Sequence, residues 1–594
     1  MRTKFLLIAS AAAAIALPAI AQQMAQTQPP PSNQYPGGGI GAQQPQPQPQ
    51  PSSQPGSSGG FLGGGADESA IEVITPANMQ PARPVEPPIE YPGWARRDPW
   101  AVGMLNPAAY GLGDDPWGNS SGAFLSTLMR RMDTPTASRW AHIALRNALL
   151  AKARAPRDVH PVDWVAERSW LLLRMGEADA ARMLVDSVDT NQFTPKMVQV
   201  AVQSALANAD TAGLCPLQNG IRKSDAAIRQ LVQAMCAALA GDPDTASAQI
   251  DNARRYGRIG GIDLALAEKV VGAAGTGRAA TIEWDPVANL SAWRFGLAVG
   301  TGMVPPERLI RAASPQVRAF QARAPLLSPQ QRLDSALVAA GLGVFSSQSL
   351  VDLYSAIYET TDPSDLPSTD AWQLREAFVG KDEPTRLAAI RNILGTGKER
   401  LQKEATRALV ARAATLIRPD AELANDAPEL ISAMLAAGYD QAAARWISAV
   451  GSMDDENGDR CWAMLALAAP NIAEVGTGRI NAFIRRDKSP NKIRSALLVA
   501  GLAGLGRIST DTANSLNGRN GLGLGRTSSW TRMIDASAGR GQAGTVLVLT
   551  GTGFQTPTWN RVPAGHLYHA ISALKRTGQD FTARMIAAEA LSRT

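Results

Sequence analysis

The stretch Trp164 to Val188, WVAERSWLLLRMGEADAARMLVDSV, restricts the fold more than any other part of the chain. Its apolar spacing predicts two short helices with a tight corner between them. Trp170, Leu171, Leu172 and Leu173 close the first helix, and Gly176 stops it. A glycine just past a helix end takes the left-handed conformation without a Cβ clash. Glu177 and Asp179 then suit the positive end of a second helix. Ala180, Ala181, Met183, Leu184 and Val188 give that helix its apolar face.

The corner returns as Gly-x4-Ala: Gly176 with Ala181, Gly241 with Ala246, Gly438 with Ala443, and Gly578 with Ala583. Glycine permits the turn, and the small alanine lets the second helix lie close to the first. In GEADAARML, GYDQAAARW and GQDFTARMI the chain resembles tetratricopeptide-type repeats, matching that family's turn glycine and helix-crossing alanine. The family's steady period of about 34 residues is absent, and its first-helix Trp-Leu-Gly pattern and terminal proline do not recur together. The resemblance implies an irregular α-solenoid rather than a consensus array.

Helical spacing recurs from residue 121 to 592, including 135–152, 286–299, 439–450 and 490–503. Thr134-Pro135, Thr194-Pro195, Ser314-Pro315, Ser328-Pro329 and Ser489-Pro490 read as helix starts, since Ser or Thr caps free N–H groups and Pro pre-sets the first turn. Val546 to Leu549 is the best strand candidate, with a helix equally open there. A chain of 594 residues with 45% apolar and only 5% aromatic residues is too long for one core and, being rich in alanine, favours closely packed helices. The expected class is therefore all-α: an irregular α-solenoid of antiparallel helical hairpins behind a disordered N-terminal arm.

Residues 1–21 have the three parts of a secretory signal: Arg2 and Lys4, the apolar run Phe5 to Leu17, and the small-x-small site Ala19-Ile20-Ala21. Cleavage is expected after Ala21, leaving Gln22 first. No later apolar run is long enough for a membrane helix, so stable membrane insertion of the mature chain is not expected. A periplasmic address follows from the bacterial style of the signal. Residues 22–93 are rich in Pro, Gln, Gly and Ser and read as a disordered tether. Residues 94–119 form an irregular arm carrying Trp94, Trp100 and Trp117, expected to be pinned on the first helices. Residues 120–594 are the helical region, with sub-boundaries expected near 275–285 and 417–426. Alanine-rich helices behind a Pro/Gln tract also resemble uncharacterised exported proteins of alphaproteobacteria, some named antifreeze glycopeptide polyprotein. The Ala-Ala-Thr array that such a glycopeptide needs is missing here.

Formal charge is +6, and removing Arg2 and Lys4 brings it to +4. Together with export this argues against a nucleic-acid partner. Arg479, Arg485, Arg486, Lys488, Lys492 and Arg494 form a basic cluster, which reads either as a patch for an anionic partner or as a solvated face, the latter favoured. Asp454, Asp455, Glu456 and Asp459 lie nearby. In an oxidising compartment Cys215 and Cys236 could pair, and Cys461 reads as a buried thiol. His566 and His569 share a helix face but lack further metal ligands, so no metal or cofactor is expected. Gly521 to Arg526 is glycine-rich without the strand or Gly-Lys-Ser/Thr end of a phosphate loop.

No zinc-protease His-Glu-x-x-His motif occurs in the sequence. The expected function is a non-enzymatic scaffold that binds an envelope protein or peptide. The alternatives are an enzyme acting on cell-wall glycan, or a helical module of one, and a structural or stress-related protein with no dedicated ligand.

Overall fold

The computed structural model describes residues 92, 96–222, 225–257, 259–276, 279–453, 455–472 and 475–594. The expected signal segment, all of the expected tether except Pro92, and Trp94 and Asp454 lie outside these residues. Among the described residues the regular elements are all helical, with no strand and two isolated bridges, Leu105 with Ala151 and Ser121 with Arg157. Val546 to Leu549 belong to the helix Ala543–Gly553. No described helix is long and apolar enough to cross a membrane.

Successive helices pack as pairs. Pro161–Met175 lies on Ala178–Val185, Ala226–Leu239 on Pro243–Tyr256, Asp370–Val379 on Glu383–Thr396, and Ala564–Arg576 on Asp580–Ser592. Gly176, Gly241, Gly438 and Gly578 have φ of 99°, 81°, 82° and 85°, and the alanine five positions after each is fully buried. The following N–H reaches back to close each corner: Glu177 to the Leu172 carbonyl and Gln579 to that of Leu574. This Schellman geometry satisfies carbonyls that a helix end leaves free.

Pairing with sequence neighbours is only part of the packing. The helix Arg139–Leu150 also lies against Ala543–Gly553 and Asp580–Ser592. The last of these contacts Ala427–Ala436, Asp455–Ala468 and Ile493–Gly504 as well. Every residue from Ala583 to Ala590 is buried, so this helix is enclosed on all sides. Early and late helices therefore meet, which a row of hairpins touching only its neighbours would not achieve. A second, smaller apolar cluster gathers Ala205, Leu206, Leu231, Met235, Ile250, Leu266 and Leu297. Beside it, a disulfide joins Cys215 to Cys236 with their Cα atoms 5.5 Å apart. Cys461 is buried and is not part of a disulfide.

The segment from Pro99 makes two short 3₁₀ turns and spans both early and late helices. Trp117 is buried edge-on against Trp164, with ring centroids 5.1 Å apart. The Pro116 carbonyl accepts from the Gly544 N–H at 2.8 Å, and those of Tyr110 and Gly111 accept from Gln579 Nε2 at 2.7 and 2.6 Å. Trp100 instead stays exposed, with the Arg154 guanidinium over its ring.

Buried arginines hold helix ends together. Arg168, fully buried, donates to the carbonyls of Leu149, Ala151 and Val102 at 3.0, 3.1 and 2.8 Å. Burial alone pushes its guanidinium down to about 9. Arg139 likewise joins the carbonyls of Ala340, Ala436 and Phe345. Such carbonyls form the negative pole of a helix, so a cation there supplies both hydrogen bonds and charge.

Some expected helix starts differ. Thr194 and Ser328 cap as anticipated, accepting from the Met197 and Gln331 N–H groups. After Thr134-Pro135 the helix begins only at Arg139, capped by Ser138. Ser489-Pro490 opens a single 3₁₀ turn, and the helix starts at Ile493 after Asn491 and Lys492 take left-handed φ. The span 439–450 is two pieces, Asp440–Ala444 and Ile447–Val450, with buried Trp446 between them. Thr510–Asn520 is a helix whose apolar face is too sparse to read, since it buries only Ala513 and Leu516.

Candidate functional site

The basic cluster occupies one wall of a cleft of about 630 Å³. Arg485 and Arg486 end the helix Thr477–Arg486, Lys488 follows in the turn beyond it, and Arg494 lies in the first turn of the next helix, Ile493–Gly504. The opposite wall is the first two turns of Arg400–Ala414, which carries Arg400, Lys403, Glu404 and Arg407 on one face through i, i+3 and i+4 spacing. Arg460 and Arg593 complete the ring of cations, and Ala463, Phe483 and Leu591 supply apolar lining. The arrangement thus brings together Arg485, Arg486, Lys488 and Arg494 from the sequence cluster. Arg479 sits beside the cleft, over the Trp462 ring at 5.2 Å and 2.9 Å from Asp459. Lys492 lies in the left-handed turn, away from the cleft lining.

The charges fall into two sets. Arg486 makes a bidentate pair with Asp459, both bonds 2.7 Å. Arg407 bonds Glu404 at 3.0 Å and both oxygens of Glu429 at 2.9 and 3.1 Å. Burial works against the Arg407 charge, but Glu404 and Glu429 outweigh it and hold the guanidinium above its ordinary value. Arg593, nearly enclosed, pairs with Glu404 at 3.0 Å and Glu589 at 2.8 Å. Asp487 accepts from the Ser489 N–H and from both the N–H and hydroxyl of Ser495. These groups are mutually satisfied and frame the cleft.

Arg400, Lys403, Arg485 and Lys488 form the second set. Among the described residues none of them has a carboxylate within ion-pair distance. Burial and then the neighbouring Arg593 charge hold Arg400 below its ordinary value, against smaller opposing effects of Glu404 and Glu589. Arg494 donates to the main-chain oxygen of Thr594 at 2.6 Å, while its buried Nε has no hydrogen-bond partner among the described residues. A second cleft, near Trp170, differs in this respect. There Glu167 neutralises both Arg130 and Lys196, at 3.2 and 2.9 Å.

The other sequence candidates lie elsewhere. His566 stacks on Trp530 at 4.4 Å, and His569 bonds Asp535 at 2.8 Å, so the two imidazoles serve different neighbours. Among the described residues no group of three or more His, Cys, Asp or Glu is placed to hold a metal. His142, which reads as solitary in the sequence, is buried with its Nε2 2.9 Å from Glu177. The glycine-rich run ends the helix Thr510–Asn520 and buries Leu522 and Leu524, and the next helix is capped by Ser528.

No known protein family matches the chain, nor does any curated protein or solved structure.

Proposed function

We propose that the chain is an exported, non-enzymatic scaffold that holds a protein or peptide partner of the cell envelope in the basic cleft. In this reading the helical region is an irregular α-solenoid of tetratricopeptide-like hairpins, wound closed around its last helix. The signal segment directs it to the periplasm, and the Pro/Gln tract tethers it there. One observation carries the binding assignment: Arg400, Lys403, Arg485 and Lys488 line a preformed opening, and among the described residues none of them has a carboxylate within ion-pair distance. The acids that share the lining include Glu404, Asp459 and Asp487, which are engaged elsewhere. Holding like charges together is unfavourable unless an anion visits them. The frame of paired arginines fixes the cleft in advance, which lowers the ordering cost of association.

A photo-crosslinking residue placed at Lys403 or Lys488 in the producing cell tests this. A discrete adduct from both positions, and none from exposed Val379, is expected. Equal labelling at all three, or none, would remove the cleft from consideration. N-terminal sequencing of the exported protein should begin at Gln22.

A further inference from the structure

We infer that the cleft takes a carboxylate-rich peptide segment, and that its cations divide into a binding set and a framing set. This rests on the binding role proposed above. The binding set is Arg400, Lys403, Arg485 and Lys488. The framing set is Arg407, Arg486 and Arg593, each already joined to a carboxylate.

Three features select the ligand chemistry. First, the binding cations come from two separate walls of one opening, so a ligand bridging them carries more than one negative charge. Second, Ala463, Phe483 and Leu591 line the same space. A small inorganic anion would use none of that apolar surface, whereas a peptide sets apolar side chains between its carboxylates. Third, the aromatic surface at the cleft is already covered: Phe483, which lines it, is buried. Trp462 packs against Phe483, with ring centroids 6.0 Å apart, and its face is under the Arg479 guanidinium. Sugars and nucleobases are commonly held on open aromatic faces, and this one is closed to them. A volume of about 630 Å³ admits a short segment rather than a folded domain. A bound carboxylate beside Arg400 would also relieve the repulsion that Arg593 imposes on it.

The experiment uses the full exported chain and three fluorescent or competing probes. These are a dodecapeptide of alternating Glu and Ala, the same peptide with Gln for Glu, and inorganic polyphosphate. The Glu peptide should bind, and raising the salt severalfold should weaken it by about tenfold, because exposed charge pairs are screened. The Gln peptide should bind at least about tenfold more weakly, which corresponds to losing roughly one charge-assisted contact. K403Q combined with K488Q should lose the Glu peptide and keep the wild-type melting temperature. R486M should lower the melting temperature, because it leaves Asp459 with only Arg479. Equal binding of the Gln and Glu peptides would overturn the carboxylate assignment while leaving the cleft a binding site. Polyphosphate binding without Glu-peptide binding would overturn it in favour of a phosphate ligand. An unchanged melting temperature in R486M would overturn the division into two sets. Failure of the binding role itself would show separately, as absent crosslinks from Lys403 and Lys488.

Discussion

Glu589 caps the helix that begins at Arg139. Its Oε1 accepts from the Arg139 backbone N–H at 2.8 Å, and its Oε2 accepts from the Ser138 hydroxyl. The same carboxylate pairs with Arg593, whose other carboxylate partner is Glu404 on the cleft wall. One buried side chain thus joins the last helix, an early helix and the frame of the basic cleft. Removing it leaves Arg593 with Glu404 alone and takes from the early helix the acceptor of its first N–H, with only the Ser138 cap remaining. Breaking a buried pair costs about 3 kcal/mol or more, so Glu589→Ala should lower the unfolding free energy by that order. Glu589→Gln keeps hydrogen-bonding capacity and should cost less. Denaturant titration of both variants checks this, and an alanine variant as stable as wild type would refute it.

Asp179 gives the stability a pH dependence of known sign. Burial pushes its carboxyl up from about 3.8 to about 7, with Arg323 opposing and Glu177 reinforcing the shift. Between those values the folded chain keeps a proton that the unfolded chain has released, so stability falls as pH rises through the window. One pK unit corresponds to about 1.4 kcal/mol, and allowing for partial exposure the net penalty above the window is about 2 kcal/mol. Asp179→Asn should therefore stabilise the protein at pH 8 and change little at pH 4. Unfolding curves at both pH values measure the difference. An equal effect at both would mean that the carboxyl does not titrate in this range.

The Cys215–Cys236 bond closes a short loop onto the smaller apolar cluster. A cross-link of that span stabilises by about 3 kcal/mol, mainly by restricting the unfolded chain. Replacing both cysteines with serine should speed hydrogen exchange in Ala226–Leu239 while leaving Ala564–Arg576, in the main cluster, unchanged. Uniform acceleration across both helices would show that the two clusters unfold as one unit.

Helical class and corners were legible because both are local. Gly176, Gly241, Gly438 and Gly578 announce their turns through a small residue five positions on. The same backbone closure also forms after Ala209, Gly302, Gly343, Gly506 and Gly541, where no alanine follows at that spacing. The turn needs a left-handed residue, not the alanine, so the two-residue pattern finds four of these nine corners and misses five. Half of the cleft was readable in the same way. Arg485, Arg486, Lys488 and Arg494 form a run along the chain, whereas Arg400, Lys403 and Arg593 arrive from other helices. Nothing in charge spacing says which helices meet. The contact of Arg139 with Glu589 was hidden for the same reason, because a capping partner far along the chain leaves no periodic trace.

Two of the corner glycines separate backbone strain from packing. Gly241 and Gly438 have nearly equal φ, 81° and 82°. A Cβ built at Gly241 meets nothing within 4 Å, so Gly241→Ala pays only for a left-handed alanine, about 1 kcal/mol. At Gly438 the same Cβ lies 3.1 Å from Trp140 Cη2 and 3.1 Å from Phe581 Cζ. Those rings stack edge to face, with centroids 5.5 Å apart, and Trp140 Nε1 also donates to the Leu435 carbonyl at 3.1 Å. Neither ring can retreat without disturbing the other or breaking that bond. Gly438→Ala should therefore cost about 3 kcal/mol, since overpacking adds to the conformational penalty. Parallel denaturant titrations compare the two substitutions directly. Equal losses would mean that the Trp140–Phe581 pair yields freely and that conformation alone sets the cost at these corners.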